Sequence, residues 1–283
     1  MADADDGGHV HKKPRVDGAT SGQNDAVFEW DEELTSCMDP GARAFEEKMH
    51  GGFNEDPETG LVYTGIPEYG LVQISADLKT WTRIGDDERL KGNIHGIVFF
   101  VHKGEKLLAV AQNSDERVLV IGLDGSVKQE LAKPAGTEFD FAEANDYYKQ
   151  YGPGEKGKIF SCTDVTYLDG KLYVVTGYCA GDFVLTAVEE GGEWKWGSVA
   201  WGGKGDAPGK FKTAHGVTAY DGHIYVANRE AHQVNKFAPD GALIEVLKGI
   251  PEGARICNIS KPEHDDYFIF NPLEVLTKEQ DKP

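Results

Sequence analysis

The stretch His215-Gly216-Val217-Thr218-Ala219-Tyr220-Asp221-Gly222-His223-Ile224-Tyr225-Val226-Ala227-Asn228-Arg229 decides how the rest of the chain reads. It holds a short apolar run, an Asp-Gly pair that supplies the positive φ of a tight turn, and a second run rich in Ile, Tyr and Val. That is a β-hairpin written in sequence. The same shape recurs upstream at Thr163-Asp164-Val165-Thr166, followed by Asp169-Gly170-Lys171-Leu172-Tyr173-Val174-Val175. It recurs again at His95-Gly96-Ile97-Val98 with Leu107–Ala111, and at His50-Gly51 with Leu61–Gly65. A weaker copy starts near Asn258 and continues through Tyr267-Phe268-Ile269-Phe270.

Third strands follow at Leu71–Ser75, Arg117–Gly122, Phe183–Val188 and Gln233–Phe237, and fourth strands at Ser126–Leu131 and Ala242–Leu247. Four antiparallel strands repeated at intervals of roughly 43 to 68 residues describe propeller blades. The predicted fold is all-β, a β-propeller, with five blades favoured over six. Residues 1–25 read as a disordered polar and acidic tail. Residues 26–283 read as one propeller domain with an insertion at about 133–158, in which 139–151 is expected to hold a short helix. The fifth unit runs out near Leu276, so Ala26–Asp31 is expected to supply its outer strand.

Composition agrees. The 283 residues are 40% hydrophobic and 27% charged, with 35 Gly and only 3 Met, as in a turn-rich β protein. Lys and Arg number 29 against 48 Asp and Glu, a net charge of −19. Such a surface repels phosphate backbones and anionic lipid, so neither nucleic acid nor membrane is an expected partner. No apolar run reaches the ~18 residues of a membrane span. The first residues lack the charged-then-apolar layout of a secretory signal. A cytoplasmic location is expected, a processed secreted form being the alternative; the oligomeric state is left open.

In a propeller the innermost strand of every blade lines the central channel. The start of that strand lies beside the end of the next strand, so residues at these places gather on one rim. The start positions carry His50, His95, Thr163, His215 and, in the fifth unit, Asn258. Three imidazoles converging on one axis form a zinc-type donor set with room for water or substrate. The competing reading is a histidine that merely ties a repeated turn together. At the end of the second strand stand Tyr178 and Arg229, expected beside Asp164 and His215 respectively. A phenol near a cation serves as a base, and a guanidinium offers a bidentate hold on a carboxylate. Blade packing and a bond to Glu230 are their ordinary alternatives. The other histidines, His102 among them, read as surface residues. Cys162 and Cys179 fall in adjacent places of one blade, which suits either a disulfide or two buried thiols.

The segment Gly202-Gly203-Lys204-Gly205 through Phe237 resembles an NHL repeat. The run from Cys162 to Phe237, with Thr163-Asp164-Val165, Gly177-Tyr178-Cys179, His215 and Asn228-Arg229-Glu230, resembles the lyase domain of peptidylglycine α-amidating monooxygenase. About a quarter of the chain carries the strong part of this likeness. The resemblance implies zinc, or another divalent transition metal, on His50, His95 and His215. It also implies base character for Tyr178 and a carboxylate hold by Arg229; Asp164, set beside Tyr178 by the hairpin pairing, is a further candidate catalytic residue. The family's reaction is C–N cleavage of a small carbinolamide to an amide and glyoxylate. Three features depart from that family: one of six blades is missing between the His50 and His95 units, no secretion signal is visible, and no monooxygenase domain accompanies the chain. The expected activity is therefore a metal-dependent lyase acting on a small polar, carboxylate-bearing substrate. The alternatives are a non-catalytic NHL-type propeller that binds a protein or peptide on one rim, and a lactonase-like metal hydrolase.

Overall fold

The computed structural model describes residues 20–23, 26–29, 36–152, 154–247, 255–260 and 269–272. Near the start, β1 (Thr20–Gln23) pairs antiparallel with β2 (Ala26–Glu29). Four four-stranded meanders follow. The first is β3 (Phe53–Asp56), β4 (Leu61–Ile66), β5 (Gly70–Ile74) and β6 (Trp81–Ile84), and the second β7 (Ile94–His102), β8 (Glu105–Gln112), β9 (Arg117–Gly122) and β10 (Val127–Ala132). The third is β11 (Asp164–Leu168), β12 (Lys171–Val175), β13 (Phe183–Glu190) and β14 (Glu193–Gly202), and the fourth β15 (Ala214–Tyr220), β16 (His223–Asn228), β17 (Gln233–Phe237) and β18 (Leu243–Val246). A fifth sheet holds β19 (Ile256–Ser260) and β20 (Ile269–Pro272).

The hairpins close as their sequences require. Asp169 and Gly170 have φ of +48° and +81°, and Asp221 and Gly222 have +48° and +68°, both central residues of each turn being left-handed. Alternate residues of one strand then enter different cores. On β8, Leu107, Ala109 and Ala111 face the third blade, while Leu108 and Val110 face the first. On β12, Leu172 and Val174 pack toward the second blade, and Tyr173 and Val175 toward the fourth. A blade pressed between two others has no solvent face, so its middle strands read as unbroken apolar runs.

The innermost strands β3, β7, β11, β15 and β19 stand side by side. A channel of about 200 Å³ runs between them, lined by Asn54, Ile97, Val165, Val217 and Ile259, one residue from each sheet, among others. Just before β3, a Cβ on Gly52 would stand 3.8 Å from the side-chain nitrogen Nδ2 of Asn258 on β19.

The insertion carries a helix, Ala142–Lys149, inside the stretch where one is expected. Its Ala144 and Tyr148 are buried with Phe139, Phe160 and Phe183 in the core between the second and third blades. One expectation fails. Ala26–Glu29 does not extend the fifth sheet; it pairs with Thr20–Gln23, which the sequence reading had left in the tail. Neighbouring segments close a hairpin at far lower entropic cost than a pairing across most of the chain. Among the described residues no helix is long and apolar enough to cross a membrane.

Candidate active site

Three innermost strands carry an irregularity at the same place. On β7, Ile94 opposes Gln112 and Gly96 opposes Ala111, leaving His95 unpaired. On β15 the register slips between Ala214 and Val217, around His215. On β19 it slips between Ile256 and Asn258, around Cys257. A bulge frees one residue from the ladder and re-aims its side chain. The fifth-unit counterpart of the histidines is therefore Cys257, one residue before the Asn258 expected from the repeat spacing.

The glycines after the histidines have a packing cause. A Cβ on Gly51 would lie 2.2 Å from the Ile94 carbonyl oxygen, and one on Gly96 2.2 Å from Asp164 Oδ1. A Cβ on Gly216 would lie 2.7 Å from the Cys257 oxygen. Each glycine lets its strand lie flush on the next blade, which brings the rim side chains within reach of one another. Gly177, whose Cβ would sit 2.2 Å from the Ala214 oxygen, does the same for Tyr178.

The imidazole of His95 lies 4.7 Å from that of His50 and 4.9 Å from that of His215, centroid to centroid. His95 Nδ1 donates to the Thr163 carbonyl at 2.6 Å, and His215 Nδ1 donates to the Cys257 carbonyl at 2.7 Å. Each bond crosses to the next blade and fixes the tautomer, leaving the Nε2 lone pair for other work. Burial, reinforced by the neighbouring imidazole, pushes His95 down to about 4 and His215 down to about 3. Both rings are neutral at pH 7. His95 Nε2 is buried and has no hydrogen-bond partner.

Tyr178 sits against both rings, 5.2 Å from His95 and 5.3 Å from His215. Its hydroxyl donates to His215 Nε2 at 2.7 Å and accepts from an Arg229 Nη at 3.1 Å. The guanidinium also lies over the phenol ring, 5.4 Å from its centroid. Arg229 Nε donates to Glu230 at 2.9 Å. The expected gathering of His50, His95, His215, Tyr178 and Arg229 is thus observed.

Asp164 is placed differently from its expected catalytic role. Its Oδ1 accepts from the Val165 amide and its Oδ2 from the Val217 amide, each at 2.9 Å, so it ties the third blade to the fourth. Register puts it opposite Val175, three residues short of Tyr178. Burial pushes its carboxyl up to about 7. Cys162 and Cys179 are free thiols with no disulfide between them. Cys162 Sγ turns to the Arg117 carbonyl of the preceding blade, and Cys179 Sγ to the Thr176 carbonyl. His102 is no loose surface residue; it bridges the Tyr167 hydroxyl and Glu189 at 3.1 and 3.2 Å. His9, His11 and His264 lie outside the described residues.

Among the described residues, no three His, Cys, Asp or Glu side chains are placed to hold a metal ion. The Nε2 of His215 accepts from the Tyr178 hydroxyl. No protein-family model matches the chain, and no curated protein matches it in sequence. Solved structures do. One is the β-propeller domain of Cps50 (Swd1) from Myceliophteria thermophila, at 10% identity and a TM-score of 0.50. The match covers 80% of this chain and 63% of that one, so this chain spans less than two thirds of its length. The fold is a β-propeller. At that identity the likeness concerns architecture, and the propeller's chemistry has to be read from its own rim.

Proposed function

We propose that the rim cluster is the active site of a lyase that uses a divalent transition metal, zinc first, on a small carboxylate-bearing substrate. This is the chemistry suggested by the resemblance to the amidating lyase. The observation that carries the reading is the buried, partnerless Nε2 of His95, with the rings of His50 and His215 at 4.7 and 4.9 Å. Neutral imidazoles that donate Nδ1–H to backbone carbonyls are the form in which histidine binds metals, the carbonyl orienting the ring. His50, His95 and His215 would hold the ion once His215 exchanges its bond from Tyr178 for it. The metal would supply Lewis-acid polarisation of a substrate oxygen.

The remaining roles belong to the protein's own groups. Released from His215, the Tyr178 hydroxyl would give its proton to solvent, and the Arg229 guanidinium, 3.1 Å away, would stabilise the phenolate that then takes a proton from the substrate. Arg229 also orients a substrate carboxylate by bidentate hydrogen bonding. A lactonase-like hydrolase is less well supported, since such sites place carboxylates around the metal and the Asp164 oxygens are engaged by amides.

Metal analysis of the purified protein tests the proposal. The expected result is about one zinc per chain, lost in His95→Ala. Metal content unchanged in His50→Ala, His95→Ala and His215→Ala would remove the lyase reading. That result would favour a non-catalytic rim that binds a protein or peptide.

A further inference from the structure

Asp182 lies in the link between β12 and β13 and is almost completely buried, at 1% exposure. Its Oδ2 accepts from the Thr213 amide at 2.6 Å and its Oδ1 from the Ala214 amide at 2.8 Å. Thr213 has φ of +72°. A β-branched residue in the left-handed region is a genuine outlier, held there only when its surroundings over-determine it. The other side of the same residue faces the site: the Thr213 carbonyl accepts from the Arg229 amide at 2.9 Å. Two residues further along stands His215. One strained residue therefore has its amide gripped by the third blade, its carbonyl gripping Arg229, and its chain continuing into the imidazole that binds Tyr178.

The neighbouring contacts serve the same end. Asn228 Oδ1 accepts from the Lys212 amide at 2.7 Å, and the Glu230 amide donates to the Lys212 carbonyl at 2.9 Å. These bonds stitch the entry of β15 to the exit of β16, but neither reaches the Thr213 amide, which depends on Asp182. Burial raises the Asp182 carboxyl to about 6, outweighing the two amide bonds and the charge of Lys204.

We propose that Asp182 is a positioning residue of the rim site, which holds Thr213 left-handed and thereby sets His215 and Arg229 on either side of the Tyr178 hydroxyl. The inference rests on the rim cluster being the functional site, but not on its metal. Asparagine keeps the shape and loses one of the two acceptors, so Thr213 relaxes and the two groups separate. Glycine occupies the left-handed region without strain, so Thr213→Gly restores the geometry in the Asp182→Asn background.

The test uses the full chain and two readouts. Side-chain nitrogen NMR at neutral pH follows the His215 Nε2 resonance, which reports the bond from Tyr178. Titration with Zn²⁺ alone follows the site's affinity. Asp182→Asn is expected to shift the Nε2 resonance to that of an unbonded ring and, by moving the His215 ring away from His50 and His95, to weaken zinc roughly tenfold or more even though Tyr178 no longer competes for Nε2. The double variant Asp182→Asn/Thr213→Gly is expected to recover both. A wild-type chain that binds no zinc sinks the metal reading and leaves the NMR arm to decide this one. An unchanged resonance in Asp182→Asn overturns the positioning role. Should Asp182→Asn fail to fold, the double variant decides: folded with the His215 signal in place supports the role, whereas an unfolded chain or a shifted signal overturns it.

Discussion

At Asp164 and Asp182 burial outweighs the two amide bonds each accepts, and the carboxyls stand at about 7 and about 6 against 3.8 in a solvated chain. A raised folded value means that the native state holds the proton more tightly than the unfolded one. Their contribution to stability is therefore complete below about pH 4 and drains as pH rises through 6 to 7. Asp87 and Glu189 work with the opposite sign, held at about 2 chiefly by Arg89 and Lys103, and their contribution is lost only as pH falls below 4 toward 2. His95 and His215, held at about 4 and about 3, act against the buried pair: their unfolded rings take up protons below about pH 6.5, so their contribution rises with pH up to there. The difference between wild type and Asp164→Asn cancels the histidines and isolates the carboxyl. By urea unfolding, the variant's stability relative to wild type should rise between pH 5 and 8 by on the order of 3 kcal/mol; a difference that does not change with pH would mean that water reaches this carboxyl.

At the level of the strand, the His-Gly pairs were legible because two requirements coincide in them. The bulge needs a side chain to project, and the next blade leaves no room for a Cβ at the following residue. Gly96→Ala would press a methyl to 2.2 Å from Asp164 Oδ1 and 2.6 Å from its Cα, where backbone has to move. A loss of about 2–4 kcal/mol is expected. Gly152→Ala, with nothing within 4 Å, should stay within about 0.5 kcal/mol in the same denaturation series. Where Gly was absent, the reading slipped. Asp164 and Asn258 fill the glycine's place and turn an oxygen onto the next amide, of Val165 at 2.9 Å and of Ile259 at 2.7 Å. Without the His-Gly signature, nothing in the sequence marks Cys257 as the rim position of the fifth unit. Spacing leaves a disulfide and two buried thiols open for Cys162 and Cys179; the sulfurs are free and turn to the carbonyls of Arg117 and Thr176, which no spacing reveals. The left-handed Thr213 had no signal at all, because threonine is among the last residues expected there.

Across the whole molecule, stability lies in seams between blades, and the largest joins the second blade, the third and the insertion helix. Cys162 is in that seam, and Cys179 is buried beside it, whereas Cys37 and Cys257 are partly exposed. Thiol titration of the unreduced protein should find all four sulfhydryls in denaturant. Under native conditions two should react promptly and two only at the rate of global opening. Four fast thiols would mean that the third blade opens separately from its neighbours, and fewer than four in denaturant would restore a disulfide.

The bulges have a consequence for how such a rim changes over time. A side chain that stands outside the ladder can be replaced without disturbing a single strand pairing, so the barrel of sheets and the chemistry it displays are inherited as separate traits. Thr163 and Cys257 already occupy places held elsewhere by imidazole. The ring behaves like a socket with interchangeable pins, in which a new reactivity requires one codon and no remodelling of the wall.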